Sequence, residues 1–451
     1  MIIDEDKQVE YLESEILAES KTTTSFWVQQ AGTDPGKSLG ISVDTNGDII
    51  ITGYFENIAK FGKTMLTSKG NKDIFVAKLN SRGQWIWAKR AGSRGRDEGC
   101  DVSVDSQGNI FLTGMISADA DFGTTTLKQK GRWDISVAKL DGRGNWLWAK
   151  RAGGSWGADH PHRGETDKQG NFVITGLVSG TADFGSIQIT AKAREDIFVA
   201  KIDSQGNWLW AKRAGKANQD SYGFGIAVDG QNNVFISGMC GAKSSFGTNK
   251  LTSKGEWNIF VAKLDTNGKW LWAQGATTNL EYQHRFDLSV DKQGNSVLTG
   301  PFEQQATFGK FQLTTKSSRN IFIAKLDSQG NWLWAKRVGS PGGKKCDAVA
   351  IDKDGNIFLT GLFVGATDFG RFKVSSKGGL ELFVAKLSSG GHWLWVKHTD
   401  SQKGSIDSFG ITTNENQDVF AVGYFDGTVD FRGTKLSAKW MNVFVWKLPG
   451  D

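Results

Sequence analysis

The decapeptide GNWLWAKRAG fills residues 144–153 and returns letter for letter at 206–215; a third copy, GNWLWAKRVG, fills 330–339. Ahead of the second copy stands DIFVAKID (196–203). Two apolar runs joined by D-x-x-G-N read as a β-hairpin, with Asp opening a type I turn and Gly taking the left-handed residue that follows. The turn carboxylates could be read as calcium ligands, but turn geometry alone explains Asp and Gly at these places. With Ser204-Gln205-Gly206 as the loop, Ala200 pairs with Trp210. Phe198, Ala200, Ile202, Trp208 and Trp210 then share one face, and Val199, Lys201, Leu209 and Ala211 the other. Both faces are largely apolar, so the sheet must be covered on both sides.

The hairpin is part of a longer repeat. The FVAK tag or a variant ends at Lys78, Lys139, Lys201, Lys263, Lys325, Lys386 and Lys447, at spacings of 61 or 62 residues. A phenylalanine recurs at Phe61, Phe122, Phe184, Phe246, Phe308, Phe369 and Phe431, followed by glycine in six of the seven units. Each unit reads as four strands, in unit 1 GISVD (40–44), IIITGYF (49–55), DIFVAKL (73–79) and WIWAKRAG (85–92). The 57 glycines, 5 prolines and abundant Val, Ile, Phe and Trp suit many short strands joined by tight turns. Four-stranded units, apolar on both faces and seven in number, predict an all-β fold, a seven-bladed β-propeller of antiparallel blades.

GIAVDGQNNVFISG (225–238) and EDIFVAKIDSQGN (195–207) resemble the repeat of the bacterial SBBP-type β-propeller family. The resemblance covers roughly residues 25–450. It implies a propeller of the interaction type and carries over no catalytic residues.

The chain's ends suggest how such a ring closes. SFWVQQAG (25–32) matches the fourth strand, and NVFVWKLPG (442–450) matches the third and stops there. Residues 25–31 are therefore expected to pair antiparallel with 442–448, an N-terminal strand completing the last blade and removing its open edge. This divides the chain into an acidic extension, 1–24, and a propeller, 25–451. In the extension Val9, Leu12, Ile16 and Leu17 fall at helical spacing, as a short amphipathic helix that docks on a partner or on the propeller; a disordered acidic tail is the alternative. Seven acids and two bases give it a charge of −5, against +6 for the whole chain. The rest is only modestly basic, without the stripe that nucleic-acid binding needs, so no nucleic acid is expected as partner.

No stretch approaches 18 apolar residues, so no membrane insertion is expected. The acidic start, MIIDEDKQVE, lacks the basic and apolar pattern of a secretory signal. With only Cys100, Cys240 and Cys346, a reducing cytoplasm is the expected compartment, export by a non-classical route being the alternative. The Lys-Arg pairs of the fourth strand (Lys89-Arg90, Lys150-Arg151, Lys212-Arg213, Lys336-Arg337) read as guards of an exposed edge, or else as a basic belt for an acidic partner.

Function is expected in the connections from each fourth strand to the next first strand, which vary while the strands repeat. Unit 3 departs most: GETD (164–167) replaces ISVD, preceded by Trp156, His160, His162 and Arg163. Unit 5 offers Tyr282, His284 and Arg285, and unit 4 Tyr222. These residues, with Glu165, are the candidate binding set. His160 and His162 suggest metal binding or acid–base work, but no cysteine or carboxylate pattern completes a metal site, and polar recognition fits better. Trp133, Trp257 and Trp440, just ahead of third strands, read as sugar contacts or as packing against the neighbouring blade. No nucleophile–base pattern, Walker loop or dinucleotide fingerprint occurs, so no cofactor and no catalytic residue are expected. The sequence points to a non-enzymatic interaction scaffold or sensor with a protein partner. A carbohydrate-binding propeller is the second reading and a propeller hydrolase or lyase the third.

Overall fold

The computed structural model describes residues 26–251, 256–280, 286–316, 320–338 and 343–450. Every element among them is a strand, so no helix there is long and apolar enough to cross a membrane. In unit 1, Gly36–Val43, Ile49–Phe55, Asp73–Leu79 and Trp85–Gly92 are successive antiparallel neighbours. Units 2 to 6 repeat this four-stranded order. The second and third strands are buried throughout, because each sheet walls two cores at once. Ile49, Ile51, Phe75 and Ala77 pack with Phe420 and Val422 of unit 7, whereas Ile50, Ile74 and Val76 pack with Leu112 and Ala138 of unit 2. Each first strand touches that of the next unit, and Ile406–Thr413 of unit 7 touches Gly36–Val43 of unit 1.

Trp27–Thr33 pairs antiparallel with Thr434–Leu448, Trp27 opposite Lys447 and Ala31 opposite Val443. The extension residues Val9, Leu12, Ile16 and Leu17 lie outside the described residues.

The D-x-x-G-N turn has the expected geometry. Gly206 sits at φ 87°, and Asp203 Oδ1 accepts from Gln205 N (2.9 Å) and Asn207 N (2.8 Å). Asp203 Oδ2 accepts from Asn207 Nδ2 at 3.0 Å, so this carboxylate is already used in holding the turn.

The register beyond the turn differs from the one expected. Ala200 pairs with Ala211, Lys201 with Trp210 and Ile202 with Trp208, which leaves Leu209 as the extra residue of a β-bulge. The bulge puts the two tryptophans on opposite faces. Trp208 packs with Phe198, Ala200 and Ile202; Trp210 packs with Ile197, Val199 and Ala214. Leu209 is left 49% exposed. Trp210 reaches the neighbouring unit, where its Nε1 donates to Thr266 O at 3.1 Å. The equivalent indoles Trp148, Trp272 and Trp27 bond Ser204 O, Ser328 O and Ser81 O.

The fourth strand ends its sheet in units 2, 5 and 6, as expected of an outer edge, but the bases on it also turn to partners within the molecule. In the sheets of units 1, 3, 4 and 7, the small hairpin carrying the next unit's recurring phenylalanine pairs onto the strand's end, as at Ala91–Gly92 with Asp121–Phe122. Arg90 and Arg213 turn inward to Asp73 and Asp196, which are fully buried at the start of the third strand; Arg151 lies 3.5 Å from Asp134. Across the units an acid stands at this position only where a base faces it: Asp with Arg in units 1 to 3 and Glu381 with His398 in unit 6, whereas units 4, 5 and 7 have Asn258, Asn320 and Asn442. The lysines lie along the next unit's turn, Lys336 Nζ donating to Gly391 O at 2.5 Å. Lys201 is buried with Nζ 2.6 Å from Asp167 Oδ2.

Candidate functional site

The first strands border cavities that differ at their two ends. At one end lie the turns after the first strands, closely similar from unit to unit. The buried FVAK lysines bind turn acids there: Lys78 to Asp44 (2.8 Å), Lys201 to Asp167 and Lys447 to Asp418 (2.9 Å). This end opens into a cavity of ≈ 730 Å³ lined by Asp44, Asp291, Lys292, Asp352 and Glu415 among others.

The other end is pinched. Leu39, Cys100, His162, Phe224, Phe286 and Phe409 form a collar drawn from six units, around a void of only ≈ 30 Å³, room for a water or two. One residue deeper, Arg163 extends from unit 3 across the opening. Its guanidinium donates to Leu39 O of unit 1 (3.1 Å) and Phe409 O of unit 7 (2.6 Å), and lies 3.5 Å from Asp101 and 3.7 Å from Asp287. Gly40 and Gly410 occupy the same level, and a Cβ on Gly40 would come within 2.6 Å of Asp101 Oδ1. Below Arg163 a ≈ 250 Å³ cavity is bordered by Ser42, Glu165, Ser289 and Thr412.

Burial governs the ionisation here. It pushes Asp101 up to about 6 against the opposing pull of Arg163, and Glu165 up to about 7 despite the Ser103 hydroxyl it accepts from at 3.0 Å. Asp287 is raised for the same reason. Burial works against the charge on Arg163, but Asp101 and Asp287 outweigh it.

Of the candidates, the structure brings together His160, His162 and Arg163 at the collar, with Glu165 just beneath. The His160 and His162 rings lie 4.8 Å apart, and His162 Nδ1 is 2.7 Å from Gly223 O. Trp156 is 81% exposed in the connection leading to them. Tyr222 is a correction to the loop reading: it is buried in a strand, stacked between Phe224 (6.0 Å) and Trp257 (5.9 Å). Trp257 thus packs internally, while Trp440 is 54% exposed. Tyr282, His284 and Arg285 lie outside the described residues. No group of three or more His, Cys, Asp or Glu gathers to hold a metal among the described residues.

Reading the units separately missed Asp101, Asp287, Phe409, Lys37 and Lys345. A column signal was present. Seven residues before each first-strand turn Asp, or Asn414 in unit 7, stand Lys37, Glu98, His160, Tyr222, His284, Lys345 and Asp407. The units differ widely at this one position while their strands repeat.

No family model matches the chain, so the SBBP resemblance gains none. The chain is similar to an uncharacterized WD repeat-containing protein of Acanthamoeba polyphaga mimivirus, 22% identical over 504 residues, covering 89% of this chain and 36% of that protein. It therefore spans about a third of the length of the curated relative it matches. Among solved structures, it is similar to virginiamycin B lyase from Staphylococcus aureus (11% identity, 94% of this chain and 100% of that one, TM-score 0.48). It is also similar to the β-propeller domain of the Trilobed protease from Pyrococcus furiosus (10% identity, 93% and 96%, TM-score 0.45). The WD-repeat similarity and the repeating four-stranded sheets make this a β-propeller-like repeat protein.

Proposed function

We propose that the chain is a non-enzymatic protein-interaction module, a seven-bladed propeller in which Trp27–Thr33 completes the last blade. The cyclic contacts of the first strands and the Trp27–Lys447 register support the ring. The pinched mouth carries the functional reading: its collar leaves ≈ 30 Å³, and the acids that titrate near neutrality, Asp101 and Glu165, lie behind Arg163. Such a mouth suits a surface contact better than a hydrolase or lyase reaction. The varied column around it supplies the specificity that the repeated scaffold lacks. In this reading residues 1–24 are a second contact and residues 25–451 the propeller, working in the cytoplasm. A photo-crosslinking residue placed at Trp156 is expected to trap a protein partner in the source cells, and one at Leu209 on the rim is not. Adducts from Leu209 alone would refute the reading.

A second reading is carbohydrate binding at the rim. A ≈ 530 Å³ cleft between units 3 and 4 is walled by Lys212, Asn267, Lys269 and Trp270, a pairing of indole and polar groups that suits a sugar. A glycan array probed with the full chain tests it, binding lost in Trp270→Ala being the supporting result.

A further inference from the structure

Lys37 stands in the varied column, on the first strand of unit 1 opposite Tyr54. Its side chain crosses to unit 7, where Nζ lies 4.3 Å from the centre of the Tyr424 ring and 5.9 Å from that of Phe409. The neighbouring cations hold acids. Lys345 Nζ is 2.7 Å from Asp407 and 3.2 Å from Asp347; Lys72 bonds Glu98 at 2.9 Å while lying over Tyr54. Among the described residues nothing accepts a hydrogen bond from Lys37. Burial lowers its pKa, only partly offset by Asp407.

A half-buried ammonium keeps losing hydration that ring faces replace only in part, since they return about 0.5–2 kcal/mol and accept no strong hydrogen bond. The acids nearby are committed to other lysines, so an acceptor other than water has to come from outside. Phe409 belongs both to the ring pair under Lys37 and to the apolar collar, so an arriving carboxylate would have Leu39, Phe224 and Phe286 nearby for the residue beside it.

We infer that Lys37 receives the carboxylate of an acidic residue on the partner, with an apolar or aromatic neighbour of that residue seated on the collar. This rests on the mouth being a protein-binding surface. The carboxylate is that of an Asp or Glu side chain or a chain terminus, and the test separates the two.

The probe is a library of random 12-residue peptides displayed on phage, selected against the full chain, followed by synthesis of the enriched peptides as C-terminal amides and as free acids. Enrichment of an acidic residue next to an aromatic one is expected, with the amides binding as well as the free acids. Lys37→Met keeps the stem against Tyr424 and Phe409 and is expected to weaken binding about 10-fold or more; Lys37→Arg stays within about 3-fold of the wild type. Changing the peptide's Asp to Asn is expected to weaken binding to the wild type equally and to Lys37→Met no further. Binding by the free acids alone assigns the site to a terminal carboxylate and overturns the side-chain form. Enriched peptides that bind Lys37→Met undiminished overturn the inference and leave the mouth as a binding surface. Failure to enrich any peptide overturns both.

Discussion

In unit 3 the ring of Phe184 is capped edge-on by Trp208, from the fourth strand, at 5.1 Å; in unit 7 Phe431 is capped by Trp446, from the third strand, at 5.5 Å. Trp446 pairs with Val28 where Ala200 pairs with Ala211, so it occupies the position that is alanine in unit 3. At the place of Trp208 the N-terminal segment has Ser25. The indole has moved across the hairpin, and the space beside the phenylalanine stays filled. A second substitution follows. Six units put glycine after the phenylalanine, at φ near 60°, and a Cβ there would meet the fourth-strand indole, at 3.1 Å for Gly185 and Trp208 and 2.7 Å for Gly123 and Trp146. Unit 7 has Arg432 at φ 55°, and its sequence has Ser25 where the other units have the fourth-strand tryptophan. The repeat preserves a volume, and residue types adjust around it.

Removing the N-terminal strand should have the largest effect. Deleting residues 1–31 takes five ladder partners from Val443–Lys447 and uncovers Trp446 and Phe444. A loss of about 5 kcal/mol or more is expected, read as a lower Tm by calorimetry. An unchanged Tm would mean that the seventh sheet does not need the segment.

Trp446→Ala sharpens the comparison. Trp446 is fully buried, and truncation should cost about 3–5 kcal/mol by urea denaturation. Trp208 is only partly buried, so Trp208→Ala should cost roughly half as much by the same scale. Equal costs would show that the two indoles do not fill equivalent space.

The glycine column gives opposite signs in the two units. Gly185→Ala sets a Cβ against Trp208 in a left-handed conformation and should cost about 1–2 kcal/mol. Arg432→Gly relieves the same conformation and should be neutral or stabilising by up to about 1 kcal/mol. Loss of stability in both would give Arg432 a contact role that its position does not suggest.

The contrast between these units also separates what could be read from the sequence from what could not. The seven units, their four strands, the D-x-x-G-N turn and the N-terminal strand's pairing partner all follow from period, spacing and turn chemistry. The bulge at Leu209 does not, because a strict two-residue alternation has no place for an extra residue. Without it Trp208 and Trp210 share a face, and the second indole's reach to Thr266 stays hidden. Arg213 reads as an edge charge until folding brings Asp196, 17 residues away, beneath it. His160, His162 and Arg163 stood out because unit 3 breaks the pattern. Lys37 stood out in no single unit, and only aligning the units on the turn Asp places it beside Lys345 and Asp407.

The smallest effect is a dependence on pH confined to unit 6. There Glu381 and His398 (Nδ1 to Oε2 2.8 Å) replace the Asp–Arg pairs of units 1 to 3. The Glu381 hydrogen bond raises the His398 pKa above 6.5, against the opposing effect of burial. A raised histidine pKa means the folded state holds its proton more tightly. The pair's contribution is therefore fully present below pH 6.5 and is lost as pH rises through the folded value. The stability difference between the wild type and His398→Gln should be greatest below that pH and shrink by about 1 kcal/mol or less above it. His398→Arg should remove this dependence, since a guanidinium stays charged across this range. A wild-type difference that grows with pH would reverse the sign and dissociate unit 6 from the acid–base pairing seen in the first three units.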